Sequence, residues 1–170
     1  MKQQAQKESP KSVVTLPNDR DVVVVRVFNA PRELVFDAWT KPSLLQRWML
    51  GPPGWTMPVC EMDVRPGGKY RWRWRNDQDG AEFGFSGEFR EVLRPSRMVH
   101  VERYEPGDVG GEMGEALVTS ELSEKDGVTT HKMTIRYASK HVRDAALKTG
   151  MTDGMDQSYQ KLDELLASQA

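Results

Sequence analysis

Hydrophobic and polar positions alternate through most of this chain, and the period changes once, near its end. Asp21 to Ala30, DVVVVRVFNA, is short, β-branched and stopped by Pro31, which predicts a strand. Val13 to Leu16, cut off by Pro17-Asn18-Asp19, predicts a shorter strand before it. In APRELVFDAWT, Pro31 suits a first helical position, and Leu34, Val35, Ala38 and Trp39 share a face. KPSLLQRWML restarts at Pro42 as a second short helix, ended by Gly51-Pro52-Pro53-Gly54. Strands are then predicted over Thr56–Asp63, Gly68–Arg75, Glu82–Leu93, Arg97–Tyr104, Gly114–Ser123 and Val128–Tyr137. Their short, turn-rich connections, Glu124–Gly127 among them, make an antiparallel meander. From Ser139, which suits an N-cap, the spacing becomes helical. Leu147, Met151, Met155, Ser158, Leu162 and Leu165 recur every three or four residues, predicting one long helix to the C-terminus. A curved sheet with one wet face needs a cover for the other, and only this helix is large enough.

Period two sorts each strand into faces. In GGKYRWRWRN, Tyr70, Trp72 and Trp74 lie on one face and Lys69, Arg71, Arg73 and Arg75 on the other. In the next strand Phe83, Phe85 and Phe89 oppose Glu82, Ser86, Glu88 and Arg90. A hairpin keeps aromatics beside aromatics and sets the basic residues against Glu82 and Glu88. With Glu124–Gly127 as the last turn, Ser123 faces Val128 and Ser120 faces His131. That polar pair then points inward beside Val118, Met133 and Ile135. The helix above carries Met151 and Met155 together with Gly150 and Gly154, each glycine costing about 1 kcal/mol in a helix interior. Flexible methionines beside missing side chains suit an adaptable apolar cavity, and the residues alone leave a packed core equally open.

The chain has 170 residues, room for one domain with a substantial core. Arg and Trp interleaved in RWRWR resemble a platform for single-stranded nucleic acid. Against that stand 24 Lys and Arg, 25 Asp and Glu, and a net charge of −1, where a dedicated binder of phosphates carries a basic excess. No nucleic-acid partner is expected. No apolar run approaches a membrane span, so no membrane partner is expected either. Cys60 is the only cysteine, which fits a reducing, cytoplasmic setting, and it reads as a small strand residue. The polar residues 1–11 read as a disordered tail before a single domain over residues 12–170.

FNAPRELVFDAWTKPSLLQRWMLGPPGW, EMDVRPGGKYRW, FSGEFREVLRPSRMVHVERY and ALKTGMTDGMDQSYQKLDELL together resemble the heat-shock-protein-90 ATPase activator homologue family. That family belongs to the START-like (SRPBCC, Bet v-like) superfamily. The resemblance covers about Val22 to Ala167 and places the chain among small, single-domain, bacterial members. It implies an α+β helix-grip fold. In that fold a curved antiparallel sheet of six to seven strands wraps around a long C-terminal helix, two short helices follow the first strand, and a hydrophobic cavity lies between sheet and helix. The expected function is binding of an apolar or aromatic small molecule by Trp72, Trp74, Phe83, Phe85, Ser120, His131, Met133, Met151 and Met155. The alternative is a co-chaperone-like interaction module with a chaperone as partner.

Asp63, Arg65, Gly67 and Gly68 match the family's D-RPGG motif and read as a structural turn whose glycines take positive φ. No catalytic residue is assigned, because no nucleophile elbow, phosphate loop or triad signature is present. Any activity would be of the cyclase or lyase kind shown by superfamily relatives. No cofactor is expected, and no metal, since His100, His131 and His141 lack ligand spacing.

Overall fold

The computed structural model describes residues 10–105 and 114–169. Residues 1–9 of the expected disordered tail therefore lie outside the described residues. The elements run β1 (Val13–Thr15), β2 (Asp21–Phe28), α1 (Arg32–Thr40), α2 (Pro42–Trp48), β3 (Trp55–Met62), β4 (Lys69–Asn76), β5 (Glu82–Leu93) and β6 (Arg97–Glu105). They continue with β7 (Glu115–Lys125), β8 (Val128–Arg136), α3 (Lys140–Leu147) and α4 (Met151–Ser168). All strands join one antiparallel sheet in the order β1-β2-β8-β7-β6-β5-β4-β3, and the helices lie on its concave side. The sheet has eight strands, where six to seven were expected, because three-residue β1 adds to the outer edge of β2 and β2 itself pairs with β8. Among the described residues no helix is long and apolar enough to cross a membrane.

Three further details, in the helix and the turns, differ from the sequence expectation, each for a local reason. The C-terminal helix is two helices, because Gly150 takes φ +80° and breaks it between α3 and α4. The last hairpin turns on Asp126-Gly127 alone, both with positive φ, so Lys125 faces Val128. Asp-Gly is the strongest two-residue hairpin signal, and it shifts the register so that Ser120 faces Met133 while His131 faces Leu122. In the D-RPGG turn only Gly67 takes positive φ. Gly68 is needed for close approach, since a Cβ there would lie 1.9 Å from the Asp63 carbonyl oxygen.

The faces of β4 and β5 follow the period-two pattern, with Trp72 opposite Phe85 and Trp74 opposite Phe83. On the outer face Lys69 stands opposite Glu88 and Arg75 opposite Glu82, as the hairpin pattern requires, while the ion pairs of the arginines between them reach a further strand. Arg73 Nη1 donates to Glu105 on β6 at 2.8 Å and Arg71 Nε to the same carboxylate at 3.0 Å. Arg73, Gly84 and Glu105 lie in one row across three strands, and Gly84 has no side chain to separate the outer two. A Cβ at position 84 would come within 2.9 Å of Arg73 Cγ. Glu88 is instead held by Arg103, at 2.7 and 2.9 Å.

The C-terminal half of α4 carries the densest packing. Tyr159, Leu162, Leu165 and Leu166 are buried there, and the Tyr159 ring lies 5.5 Å from Phe28 and 6.1 Å from Trp48. Arg26, on the inner face of β2, is 1% exposed and forks onto Asp163 at 3.0 and 2.6 Å. Its guanidinium also lies 4.9 Å from the Phe28 ring. Removing one partner of a buried pair strands the other charge in the core. Asp163→Ala is therefore expected to cost about 3 kcal/mol. The melting temperature should drop by roughly 6–12 °C, while Glu88→Ala, which breaks a solvated pair, moves it little. Thermal denaturation of the two variants checks the contrast.

Candidate functional site

Between the sheet and the N-terminal half of α4 lies a cavity of about 490 Å³. Its existence follows from the helix sequence. Gly150 and Gly154 face it, and a Cβ built at either meets no atom within 4 Å. All five tryptophans of the chain line it: Trp39, Trp48, Trp55, Trp72 and Trp74. The rim is held by backbone contacts. Gly51 N donates to Ser158 Oγ at 2.8 Å, Lys161 Nζ donates to Gly51 O at 2.8 Å, and Trp74 Nε1 donates to Met49 O at 2.7 Å. These bonds tie the loop after α2 to α4 and to β4, so the mouth does not depend on apolar contacts alone.

Of the residues named from sequence, Trp72, Trp74, Phe83, Phe85, Met133, Met151 and Met155 line this cavity. Ser120 and His131 do not. They face a separate void of about 10 Å³ with Phe36, Trp39, Arg97, Met98 and Leu122, too small for an organic ligand. Trp39, 5.0 Å from the His131 ring, stands between the two spaces and lines both. His131 is buried with neither ring nitrogen bonded among the described residues, and burial pushes its pKa down to about 4. It is a neutral core imidazole beside the cavity.

The titratable groups that face the cavity include three from β6, whose inner side presents Met98, His100, Glu102 and Tyr104. Period two would have found His100 and Glu102. The signal is masked because Val99 and Val101 make the opposite side of the same strand look equally apolar. Among the described residues Glu102 is the one carboxylate in the cavity wall, and no lysine or arginine lines it. Its neighbours are small: Ala116 is its partner on β7, and Gly87 lies across on β5 between the Ser86–Arg103 and Phe89–His100 pairs. Gly87 is required there, since a Cβ would lie 1.8 Å from the Val101 carbonyl oxygen. Over Gly87 leans Tyr70, whose hydroxyl donates to that same oxygen at 2.7 Å.

Burial raises the Glu102 carboxyl to about 7 and lowers His100 to about 4. Trp72 Nε1, His100 Nδ1 and Tyr159 Oη are buried without a partner among the described residues. The Tyr137 hydroxyl donates to the Met151 sulfur at 3.5 Å. The arrangement is an aromatic chamber with a few convergent polar atoms, the usual make-up of a small-molecule site. Among the described residues no three His, Cys, Asp or Glu side chains are placed to hold a metal ion. Cys60, on β3, has its thiol pushed up to about 11 by burial, which suits a packing role over a nucleophile.

The ionisation of Glu102 has a measurable consequence. The folded carboxyl keeps its proton up to about 7, whereas its ordinary value is 4.5. Its contribution to stability is thus greatest below 4.5 and falls as the pH rises through 7. His100 and His131 act oppositely, losing stability as the pH falls from 6.5 toward 4. Comparing wild type with Glu102→Gln removes the histidine contribution. The variant should be more stable by on the order of 3 kcal/mol near pH 8, and the gap should close near pH 4.5. Denaturant titrations at the two pH values measure this, and a gap that did not change with pH would contradict it.

The model of the family described as activator of Hsp90 ATPase homolog 1-like protein matches residues 29–167. A crystal structure of a protein from Rhodobacter sphaeroides is similar at 30% identity, covering 94% of this chain and 99% of that one, with a TM-score of 0.84. One from Mycobacterium smegmatis is similar at 22% identity over 92% of this chain and 97% of that one, TM-score 0.81. A solution structure of an AHSA1-like protein from Aeromonas hydrophila, 21% identical over 84% and 93% of the two chains, has a TM-score of 0.66. The last two speak for the fold alone. No curated protein matches the chain.

Proposed function

We propose that this chain, which belongs to the activator of Hsp90 ATPase homolog 1-like family, is a START-like domain that binds an apolar or aromatic small molecule between its sheet and α4. The observation that carries the reading is the cavity of about 490 Å³ in a chain that spends two glycines to keep it open. Drug-sized ligands occupy sites of roughly 300–1,000 Å³ with mainly apolar walls. An apolar cavity of this size loses dispersion contacts on every wall, and a ligand restores them. Trp72, Trp74, Phe83, Phe85, Met133, Met151 and Met155 supply those walls, and the unbranched methionines adapt to the ligand's outline. The single cysteine agrees with a cytoplasmic site of action. The alternative, a co-chaperone-like module with a chaperone partner, draws its support from the family description.

Because every tryptophan lines the cavity, intrinsic fluorescence reports on occupancy directly. Naphthylethanol, an uncharged aromatic probe, is expected to change that emission saturably. At about 100 times its Kd it should stabilise the protein by about 2.7 kcal/mol, raising the melting temperature by several degrees. Gly154→Phe, which points a ring into the open space over the helix, should fold, melt no lower than wild type, and lose the probe response. If the probe left both readouts unmoved while the protein stimulated a chaperone ATPase equally with Gly or Phe at position 154, the co-chaperone reading would replace this one.

A further inference from the structure

We propose that the ligand is a cation: an organic amine whose apolar or aromatic body fills the chamber and whose charged nitrogen lies against Glu102. This rests on the cavity's being a ligand site and adds the ligand's charge class to it. The first support is placement. Glu102 stands on the inner face of β6 between Gly87 and Ala116, so the strands on either side present no bulky side chain beside it. The glycines of the α3–α4 junction leave the space opposite equally bare. A carboxylate that merely braced the fold would have a bonded partner. Glu102 has no ion pair among the described residues, and burial is the cause of its raised carboxyl.

The second support is the chemistry of the walls. Buried carboxylates are costly unless a cation meets them. Here the surrounding surface is Trp, Phe and Tyr, whose ring faces attract a cation and repel an anion. His100, two residues along the same strand face, is held neutral and offers a further nitrogen acceptor. An ammonium group therefore finds a carboxylate, an acceptor and aromatic faces in one chamber. A carboxylate ligand meets the like charge of Glu102 and no cationic side chain among the described lining residues.

The pH dependence is unusually clean. Among the described residues the titratable groups that line the chamber with Glu102 are His100 and Tyr104 on β6, Tyr137 after β8 and Tyr159 on α4, and Tyr70 on β4 lies close enough to feel its charge; β5 and β7 contribute Gly87 and Ala116 at its flanks. Burial keeps these tyrosines neutral and the histidine uncharged above about 4, so among these groups Glu102 is the one that changes charge across the neutral range.

Three probes of one shape make the test: naphthylethylamine, naphthylethanol and naphthylacetate, titrated by tryptophan fluorescence against the full chain. The amine is expected to bind at least about tenfold tighter than the alcohol near pH 8, with its affinity falling toward about pH 5.5 as Glu102 takes up its proton. The alcohol should show no such slope, and the acetate should bind worst near pH 8. In Glu102→Gln, shown to be folded by its cooperative melting, the amine-to-alcohol ratio should fall to about one. An alcohol that binds as well as the amine near pH 8, or an amine preference that survives in Glu102→Gln, overturns the charge assignment and leaves the cavity reading standing. Failure of all three probes overturns both.

Discussion

The position of α4 depends on the fork between Arg26 and Asp163. A guanidinium almost wholly removed from water would be intolerable in the core without a carboxylate at 2.6–3.0 Å, and the one it meets among the described residues is on that helix. The pair pins the C-terminal half of α4 to β2, where Phe28, Trp48 and Tyr159 close around it. The N-terminal half is held by lighter bonds, from Ser12 N to Asp156 and from Gly51 N to Ser158 Oγ. It starts from the left-handed turn at Gly150 and runs over the open chamber, carrying Met151, Gly154 and Met155. One end of the helix is packed like a core and the other stands away from the sheet. The cavity is the direct consequence.

Within that chamber, electrostatics and packing work toward the same end. Interiors are ordinarily close-packed, and an isolated carboxyl in an apolar wall is ordinarily excluded. Here both exceptions fall in one place, and both are secured locally. Gly87 and Ala116 leave room beside Glu102, Gly154 leaves room across from it, and Gly51 is fastened from both its backbone atoms to α4. A stretch where small residues, a strained electrostatic group and an aromatic lining coincide departs from what stability alone would select.

The stretch RWRWR illustrates how charge and aromaticity separate once the chain is pleated. Its rings line the chamber and its cations lie on the far side of the sheet, where Arg71 and Arg73 share Glu105. The basic appearance of the string is therefore neutralised by a residue two strands away. Such surface pairs contribute at most about 1 kcal/mol each. The buried rings on the other face, at about 1.5–3 kcal/mol apiece, are what hold the strand in register.

The sequence by itself determined the order of elements and the face each sorted strand buries, because side-chain alternation is a property of the strand alone. Trp72, Trp74, Phe83 and Phe85 were legible for that reason, as were Met151 and Met155 from their helical spacing. Tertiary structure decided the rest, because it rests on distances between strands and layers that no single period encodes. Register at Asp126-Gly127 moved Ser120 away from His131, and Trp39 then partitioned both from the chamber. The missing side chain of Gly84 chose the partner of Arg73. Glu102 became a carboxylate of the chamber wall because two neighbouring strands set small residues at its flanks and the anchored helix left the space above it empty.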